Sequence, residues 1–261
     1  MATYHAKLVT FARGRGQSAV AAAAYRSGEK LRCEREGLTK YPRRNAADVL
    51  FKKLIGWTGT RAELWSHAEL AENRKNAVVA REWTLALPKE LTEGARESLA
   101  TEFATWLART YNVAVDLAGH RPRMKAGANQ NYHAHVMFTT REVRDDSFGP
   151  KTRVFDDRAQ GSREIAKIRL FWEQLVNRAL DRAWLKVRVS AKKRAKPMPK
   201  LSLRQAAILR EHNPGQAVSK TLKDLGSDGG KVQNVDKDND DLELPPPPIS
   251  GGSSKGKNAK L

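Results

Sequence analysis

The chain has 261 residues, enough for one substantial domain with accessory segments, and its single cysteine, Cys33, excludes an intramolecular disulfide. Lys and Arg outnumber Asp and Glu by 48 to 29, and the net charge of +19 indicates a polyanionic partner, either nucleic acid or an anionic membrane surface. No apolar run approaches the ~20 residues of a membrane span and the first residues lack the pattern of a secretory signal, so we expect a cytoplasmic protein without membrane insertion.

Helix and strand patterns alternate through the first part of the chain. Strands show a period of two and helices a period near 3.6, and a Thr-x-x-Glu capping box predicts the start of the second helix. The predicted elements are a strand over 3–11, a basic glycine loop over 13–16, an alanine-rich helix over 18–26, a basic turn-rich stretch over 32–44, a helix from Thr60 to about Lys75, a strand over 78–87, a long helix around Leu99 to Leu107, strands over 113–120 and 132–140, and a helix over 164–183.

The connections between these elements indicate the fold class. The strands over 113–120 and 132–140 are joined by a short polar loop, which favours a hairpin, whereas the other strands are separated by helices. In the strand over 78–87, Trp83 and Leu85 lie on one face and Glu82 and Thr84 on the other. The sequence therefore predicts an α+β domain with a central, mainly antiparallel sheet and flanking helices.

The composition changes near residue 190. Residues 1–190 are predicted to form the folded domain, and residues 191–212 a basic segment with a possible short helix. Residues 213–261 are rich in Gly, Ser, Pro and charged residues, which cannot bury enough apolar surface to offset the loss of chain entropy, so we expect a disordered C-terminal tail. No glycine-rich GKS or GKT phosphate loop is present, and use of ATP is not expected.

Three of the six histidines suggest a metal site. His133 and His135 are two residues apart on a predicted strand and so project from the same face, and His120 ends the strand predicted to pair with it. Three neutral imidazoles that leave coordination positions open are typical of a catalytic metal site. The alternative interpretation is that a His-x-His pair in a strand is a coincidence and its histidines are structural.

A tyrosine in an alanine-rich helix is usually a core or interface residue, but Tyr25 lies within a recognisable motif. The segment over 16–31, GQSAVAAAAYRSGEKL, closely resembles the first motif of the MobA/MobL relaxases, the plasmid mobilisation nickases of the HUH endonuclease class. The segments AREWTLALP over 80–88 and NYHAHVM over 131–137, together with His120, are similar to the family's two further motifs, in the same order. The resemblance covers roughly residues 1–183. It departs from the family at Thr84 and Ala128, where many members have acidic residues.

The resemblance implies an HUH relaxase fold with a palm-like, ferredoxin-like sheet, in which residues 1–190 form the catalytic domain. It implies that Tyr25 is the nucleophile, that His120, His133 and His135 hold one divalent ion, Mg or Mn, and that Glu82 assists the tyrosine or braces a metal ligand. By donor softness alone, an all-imidazole set also suits zinc or nickel. The implied reaction is a site- and strand-specific nick at a plasmid transfer origin, with a 5′-phosphotyrosyl adduct that is later religated. The implied partners are single-stranded DNA at the nick site, accessory mobilisation proteins and a coupling protein.

Basic residues near these motifs are candidates for contacts with DNA phosphates, although each one alone is most simply a solvated surface residue. Trp57 and Trp65 either stack on bases or pack in the core. The candidate DNA-binding residues are Arg13, Arg15, Arg26, Arg43, Arg44 and Arg81, followed by Lys52, Lys53, Arg121, Arg123 and Lys125.

Three other functions are compatible with parts of this pattern. A rolling-circle replication initiator shares the chemistry, but its paired histidines usually precede the tyrosine, whereas here Tyr25 comes first. A non-catalytic basic nucleic-acid-binding module would need neither the tyrosine nor the histidines. A three-histidine zinc hydrolase would use an activated water, and Tyr25 would then have no role.

Overall fold

The structure is a computed structural model that describes residues 2–42, 46–122 and 131–191. The elements of these residues are nine strands and four α-helices. The strands are β1 (Ala6–Ala12), β2 (Leu31–Cys33), β3 (Leu38–Lys40), β4 (Val49–Ile55), β5 (Val78–Ala86), β6 (Val115–His120), β7 (His133–Phe138), β8 (Arg141–Arg144) and β9 (Ser147–Lys151). The helices are α1 (Ala19–Ser27), α2 (Arg61–Leu70), α3 (Glu93–Tyr111) and α4 (Arg158–Arg182). The tail predicted over 213–261 and, apart from Ala191, the segment predicted over 191–212 lie outside the described residues.

A five-stranded sheet in the order β1-β5-β7-β6-β4 forms the centre of the domain, and each neighbouring pair is antiparallel. The expected hairpin of β6 and β7 is present. The strands β2 and β3 form a separate two-stranded sheet, as do β8 and β9. The predicted α+β class with a central antiparallel sheet is confirmed. Among the helices of the described residues, none is long and apolar enough to cross a membrane.

One face of the five-stranded sheet packs against α3 and α4. The residues predicted to share a face of β5, Trp83 and Leu85, are both fully buried here. Phe103 of α3 contacts Trp83 and Trp172 edge to face, with ring centroids 6.5 and 5.4 Å apart. Burying an aromatic or aliphatic side chain of this kind contributes about 1.5–3 kcal/mol, so this layer is the main source of hydrophobic stabilisation. We call it the helix-packed face.

The opposite face of the sheet is covered by α1 and α2 over only part of its length. The small side chains Ala19, Ala23 and Ala24 of α1 are fully buried, because alanine lets the helix approach its neighbours closely. The predicted capping box begins α2: the Thr60 hydroxyl accepts from the backbone of Glu63, whose carboxylate accepts from the backbone of Thr60. On the same face, His133 and His135 of β7 line a cleft. We call this the cleft face.

Several elements differ from the sequence prediction. The turn-rich stretch contains the hairpin of β2 and β3, and β4 and the hairpin of β8 and β9 were not predicted. The helix predicted to reach Lys75 ends at Leu70. The loop that follows is held by Arg13, whose guanidinium donates to the backbone carbonyls of Glu69 and Glu72. The helix α2 is therefore shorter than its sequence predicts, because the carbonyls after its end accept from Arg13.

Candidate active site

The three predicted histidines converge on the cleft face, where β6 ends and β7 begins. His120 is the last residue of β6 and His133 the first of β7, and the register places the two directly opposite each other. His135 follows two residues later on the same face, and the three ring centroids are 4.7 to 5.2 Å apart. One ligand atom from each imidazole lies within 4.8 Å of the others. The geometry therefore allows one ion to be held by all three rings.

A glycine and an aromatic ring on neighbouring strands support the first histidine. Phe51 of β4 is opposite Gly119 in the register, and a Cβ atom at Gly119 would clash with the Phe51 ring. The ring therefore covers the backbone directly before His120, whose side chain is fully buried. The β4 edge strand, which was not predicted, thus contributes to the position of a candidate ligand.

The hydrogen bonds of the three imidazoles determine which nitrogen is available to a metal ion. His120 Nε2 lies 2.7 Å from the Arg26 carbonyl oxygen, and His133 Nδ1 lies 3.0 Å from the Asn131 carbonyl oxygen. A carbonyl oxygen only accepts, so each of these nitrogens carries the proton. His135 Nδ1 donates to the Glu82 carboxylate at 2.9 Å. The lone pairs are thereby assigned to His120 Nδ1, His133 Nε2 and His135 Nε2, the usual arrangement of metal-binding histidines. The donor set fits a divalent ion.

The Glu82 carboxylate is buried below this cluster and is surrounded by donors. It accepts from His135, from Thr84 at 3.4 Å and from Nε and Nη2 of the Arg26 guanidinium. Burial favours the neutral acid, but the hydrogen bonds from His135 and Arg26 and the positive charge of the Arg26 guanidinium outweigh this effect and hold the pKa of Glu82 well below its usual value. A carboxylate of such low basicity is suited to orient His135, and it is a poor acceptor for a proton from a phenol.

Arg26 connects the helix of the predicted nucleophile to the histidines. Its backbone carbonyl accepts from His120, and its guanidinium grips Glu82, which in turn holds His135. Tyr25 is the preceding residue on α1 and is half-buried, and its ring lies 5.7 Å from the Arg26 guanidinium carbon. Arg26 was predicted to contact DNA. In the structure its guanidinium donates to the Glu82 carboxylate, and the DNA contact stays a prediction.

Two clefts adjoin these residues. One, of about 740 Å³, is lined by His133 and His135 together with Thr84 and the residues before β1. His5 is among them. The other cleft, of about 570 Å³, is lined by Tyr25, Arg26 and Tyr41. A strand of nucleic acid thus has accessible surface both at the histidines and at the tyrosine.

The other residues predicted to contact DNA lie in different surroundings, and their contacts with DNA stay predictions. Arg15 is exposed on the loop before α1, whereas Arg13 is bound to Glu69 and to backbone carbonyls. Lys52 and Lys53 form ion pairs with glutamates. Arg81 lies on the helix-packed face and binds Asp156, because it is one residue from Glu82 in a strand and so points the other way. Arg121 is exposed, and both Trp57 and Trp65 are buried, as their packing alternative predicted. Arg43, Arg44, Arg123 and Lys125 lie outside the described residues.

Sequence reasoning missed two features of the cleft face. Lys7 of β1 is opposite Thr84, which is opposite His135, so these residues share a face and Lys7 is exposed there. The two-residue period of β1 would have indicated this face. The second feature is the fully buried carboxylate of Asp116, which accepts from Arg61 Nε and Trp65 Nε1, each at 2.9 Å. An acidic residue inside an apolar strand was its only signal in the sequence.

The fold and the site together define a mixed α+β domain in which a three-histidine cluster lies beside a tyrosine-bearing helix. A comparison with protein families matches residues 17–197 to the MobA/MobL family. The chain therefore belongs to the MobA/MobL family, as its motifs indicated.

Individual relatives agree with this assignment. The chain is 35% identical over 225 residues to the mobilization protein MobL of Acidithiobacillus ferridurans, which covers 75% of this chain and 59% of that protein. It is 31% identical over 166 residues to the conjugal transfer protein TraA of Rhizobium radiobacter, which covers 58% of this chain and 14% of that protein. The chain thus spans less than two thirds of the length of either relative.

A solved structure confirms the fold. It is described as the molecular basis of vancomycin resistance transfer in Staphylococcus aureus, and it superposes with a TM-score of 0.61 at 28% sequence identity. The match covers 73% of this chain and 98% of the other.

Proposed function

We propose that this protein is a DNA relaxase that nicks one strand at a plasmid transfer origin and so initiates conjugative mobilisation. The main support for the proposal is the set of contacts made by Arg26, the residue after Tyr25. Its carbonyl accepts from His120, and its guanidinium donates to Glu82, which accepts from His135. These hydrogen bonds hold the helix of Tyr25 against both strands that bear the histidines. Family membership and relatives named for mobilization and conjugal transfer support the same function.

The chain's own residues account for the steps of strand cleavage. The Tyr25 phenolic oxygen attacks the scissile phosphorus, the bond from phosphorus to the 3′ oxygen breaks, and the phenol proton is transferred through solvent so that the 3′ oxygen leaves as a hydroxyl. The products are a 5′-phosphotyrosyl ester and a free 3′-hydroxyl. Because the ester retains the energy of the broken bond, the reverse attack by a 3′-hydroxyl religates the strand without ATP.

The three histidines would hold one divalent ion through His120 Nδ1, His133 Nε2 and His135 Nε2. When bound, such an ion neutralises charge that develops on the phosphate oxygens. The resemblance favours Mg or Mn for this position. Glu82 keeps His135 in the tautomer that presents Nε2, and Arg26 keeps Glu82 charged and oriented. We thus assign Glu82 and Arg26 to positioning and Tyr25 to the bond-forming step.

We propose single-stranded DNA at the nick site as the substrate, with exposed Arg15 and Lys7 as contacts to its phosphates near the cleft face. Accessory mobilisation proteins and a coupling protein are the partners that such a reaction requires, since the nicked strand must be recognised, unwound and handed on.

The test is a nicking assay on a supercoiled plasmid that carries the cognate transfer origin, with Mg or Mn present. We expect relaxed plasmid and a protein–DNA adduct that survives detergent. Tyr25→Phe should abolish both, whereas Tyr41→Phe, a matched change in a tyrosine that lines the same cleft, should leave both unchanged. Full nicking by Tyr25→Phe would refute the assignment of the nucleophile.

The metal assignment is tested in the same assay. A chelator should stop nicking, and graded addition of Mg, Mn, Zn or Ni should identify the ion that restores it. His133→Ala should abolish cleavage while most of the charge-driven affinity for DNA is kept, because DNA affinity depends mainly on phosphate contacts. Nicking that is insensitive to both treatments would contradict a metal site at the histidines.

A further inference from the structure

A network of ion pairs connects the end of α1 to the buried carboxylate of Asp116. Arg61, the first residue of α2, donates from Nε to both oxygens of Asp116, each at 2.9 Å, and from Nη1 to Glu29 at 2.7 Å. Trp65 Nε1 also donates to Asp116. Asp116 and Arg61 are both buried, so water screens their interaction only weakly. One guanidinium thus joins a strand of the central sheet to the segment that follows α1.

Both ends of this network are close in the chain to candidate active-site residues. Asp116 is four residues before His120 on β6, and because alternate residues of a strand share a face, both project to the cleft face. Glu29 is four residues after Tyr25. Arg61 therefore connects the strand of a candidate metal ligand to the helix of the candidate nucleophile.

The contacts of Glu29 and of Arg26 restrict different motions of α1. Arg26 holds the helix through Glu82 and through the His120 ring. A helix that is held at one point can still turn about that point, and a second anchor removes this freedom. The phenolic oxygen of Tyr25 is at the far end of a long side chain, so even a small rotation of the helix displaces it. A misplacement of about 1 Å can slow a reaction roughly 100-fold.

The backbone between Tyr25 and Glu29 is itself constrained. Gly28 follows the last residue of α1 with a φ of 69°, in the left-handed region, and a Cβ atom there would lie 3.1 Å from the Cα atom of Ala46. The Ser27 hydroxyl accepts from the backbone N–H of Glu29 at 3.3 Å. The position of Glu29 is therefore transmitted to the end of the helix, because the intervening residues are fixed by their own contacts.

Lys52 of β4 holds the other oxygen of the Glu29 carboxylate. Its Nζ lies 2.5 Å from Oε1, whereas Arg61 Nη1 donates to Oε2. Burial favours the neutral form of Glu29, but Lys52 and Arg61 outweigh this effect and lower its pKa below the usual value. Glu29 is thus an anion at neutral pH, with one oxygen bound to α2 and the other to the edge strand of the sheet.

We propose that Glu29 and Arg61 are positioning residues of the nicking reaction, which hold α1 so that Tyr25 keeps its place relative to the three histidines. The proposal rests on the function proposed above. Glu29 is an anion that repels phosphate, and Arg61 is buried with both carboxylates, so this role involves no contact with DNA. Its expected signature is a slower bond-forming step with unchanged affinity for DNA and for the metal ion.

The first experiment compares Glu29→Gln with Glu97→Gln in single-turnover cleavage of a saturating single-stranded oligonucleotide that contains the nick site. The two carboxylates form the same kind of ion pair, Glu29 with Lys52 and Glu97 with the next residue, Lys53, and both lysines are 43% exposed. Glu29→Gln keeps the size of the side chain and removes its charge, and we expect adduct formation to slow about tenfold. Glu97→Gln, on α3, should cleave at the wild-type rate.

The amplitude of the same reaction distinguishes positioning from stability. A partly unfolded variant forms less adduct at an unchanged rate, because fewer molecules are active. A misplaced nucleophile slows cleavage and religation by the same factor, because the two directions share one transition state, so the final fraction of adduct is unchanged. We expect the second pattern for Glu29→Gln, and a Kd for the oligonucleotide and for Mn equal to that of Glu97→Gln.

The second experiment uses Arg61→Lys, which keeps the charge at the other end of the contact. A lysine ammonium cannot bind Asp116 and Glu29 in the geometry of the guanidinium, so cleavage should slow to a similar extent. The double variant with Glu29→Gln should be little slower than either single variant, because both substitutions break the same contact. Arg61→Ala is unsuitable, because it would leave the Asp116 carboxylate buried without its ion pair.

Four results would overturn the proposal. They are an unchanged rate in Glu29→Gln, a lower amplitude at the wild-type rate, equal slowing in Glu97→Gln, and additive slowing in the double variant. Each of them requires a wild type that forms the adduct, so the nicking function would stand and Glu29 would have a structural role only. A wild type that forms no adduct would instead refute the nicking function, and the positioning role with it.

Discussion

The helix-packed face of the central sheet is covered by aromatic side chains, whereas the cleft face carries a cluster of polar groups where β6 ends and β7 begins. Both faces are built from alternate residues of the same strands: Trp83 and Leu85 project to one side of β5, and Glu82 and Thr84 to the other. On the helix-packed face, stability comes from apolar area that can be rearranged among neighbours. On the cleft face, each polar group depends on a particular partner. The two faces should therefore respond differently to substitution.

The largest effect on stability is expected from the helix-packed face. Phe103→Ala should lower the free energy of unfolding by about 3–5 kcal/mol, because it leaves a cavity among fully buried rings. Urea denaturation followed by circular dichroism measures the change. Leu170→Ala, on the exposed side of α4, is the control and should cost much less. Equal losses from the two variants would show that the aromatic layer does not dominate this face. The affinity for a divalent ion should be unaltered in both.

A charge removed from the cleft face should change metal affinity more than stability. Glu82→Gln keeps an acceptor oxygen for His135 but loses the charge that binds Arg26, and we expect Mn affinity to fall about 10–100-fold. Calorimetric titration measures this. The matched control is Glu164→Gln, whose carboxylate accepts from Tyr111 at 2.6 Å on the helix-packed face. If Glu82→Gln binds Mn as tightly as the control, Glu82 does not support the metal site.

Arg26→Lys tests whether Arg26 positions the site or contacts DNA. A lysine ammonium cannot bind both oxygens of Glu82 in the geometry of the guanidinium fork, so α1 should be held less accurately and single-turnover nicking should slow by about tenfold. The affinity for single-stranded DNA should hardly change. Arg15→Lys, on the exposed loop before α1, provides the comparison and should nick normally. Weakened DNA binding with a normal nicking rate would instead assign Arg26 to the DNA interface.

The smallest effect on the free energy of unfolding is expected at the N-terminal caps of two helices, one on each face of the sheet. Thr60→Ala should cost about 1 kcal/mol of unfolding free energy, since it removes the side-chain acceptor at the beginning of α2. Thr92→Ala, at the beginning of α3, should cost somewhat less, because the third residue of that helix is Ala95, which has no carboxylate to complete a reciprocal capping box. Thermal unfolding of both variants measures the difference. An equal or larger loss in Thr92→Ala would mean that the reciprocal bond to Glu63 adds no stability.

Much of the fold could be predicted because long elements carry strong periodic signals. The faces of β5, the hairpin of β6 and β7, and the long helices α3 and α4 all follow from where apolar residues recur. The strand β4 was missed because Lys52 and Lys53 interrupt its apolar pattern, and it is formed through pairing with β6. The two short hairpins were missed for a similar reason: strands of three to five residues have too few positions to show a period.

The candidate site was predictable to a different extent for each kind of residue. His133 and His135 share a face by spacing alone, and His120 joins them through a hairpin that the loop length favoured. Arg26 was assigned to DNA because a basic residue beside the nucleophile motif has no visible partner in the sequence. Its partner, Glu82, is 56 residues away. Arg81 is a similar case. The period of β5 predicts which face of the sheet it is on, but its contact with Asp156, 75 residues away, could not be predicted from the sequence.

The sequence by itself determined the class of the fold, the convergence of three histidines and the family motif around Tyr25, because these depend on local periodicity and on short, ordered patterns. Only the tertiary structure decided which nitrogen of each imidazole carries its proton, that donors surround the Glu82 carboxylate, and that Arg26 connects the tyrosine helix to the three histidines. Those properties arise from hydrogen bonds between residues far apart in the chain. Their partners are selected by the packing of α1 against the sheet, and a pattern of neighbouring residues carries no record of that packing.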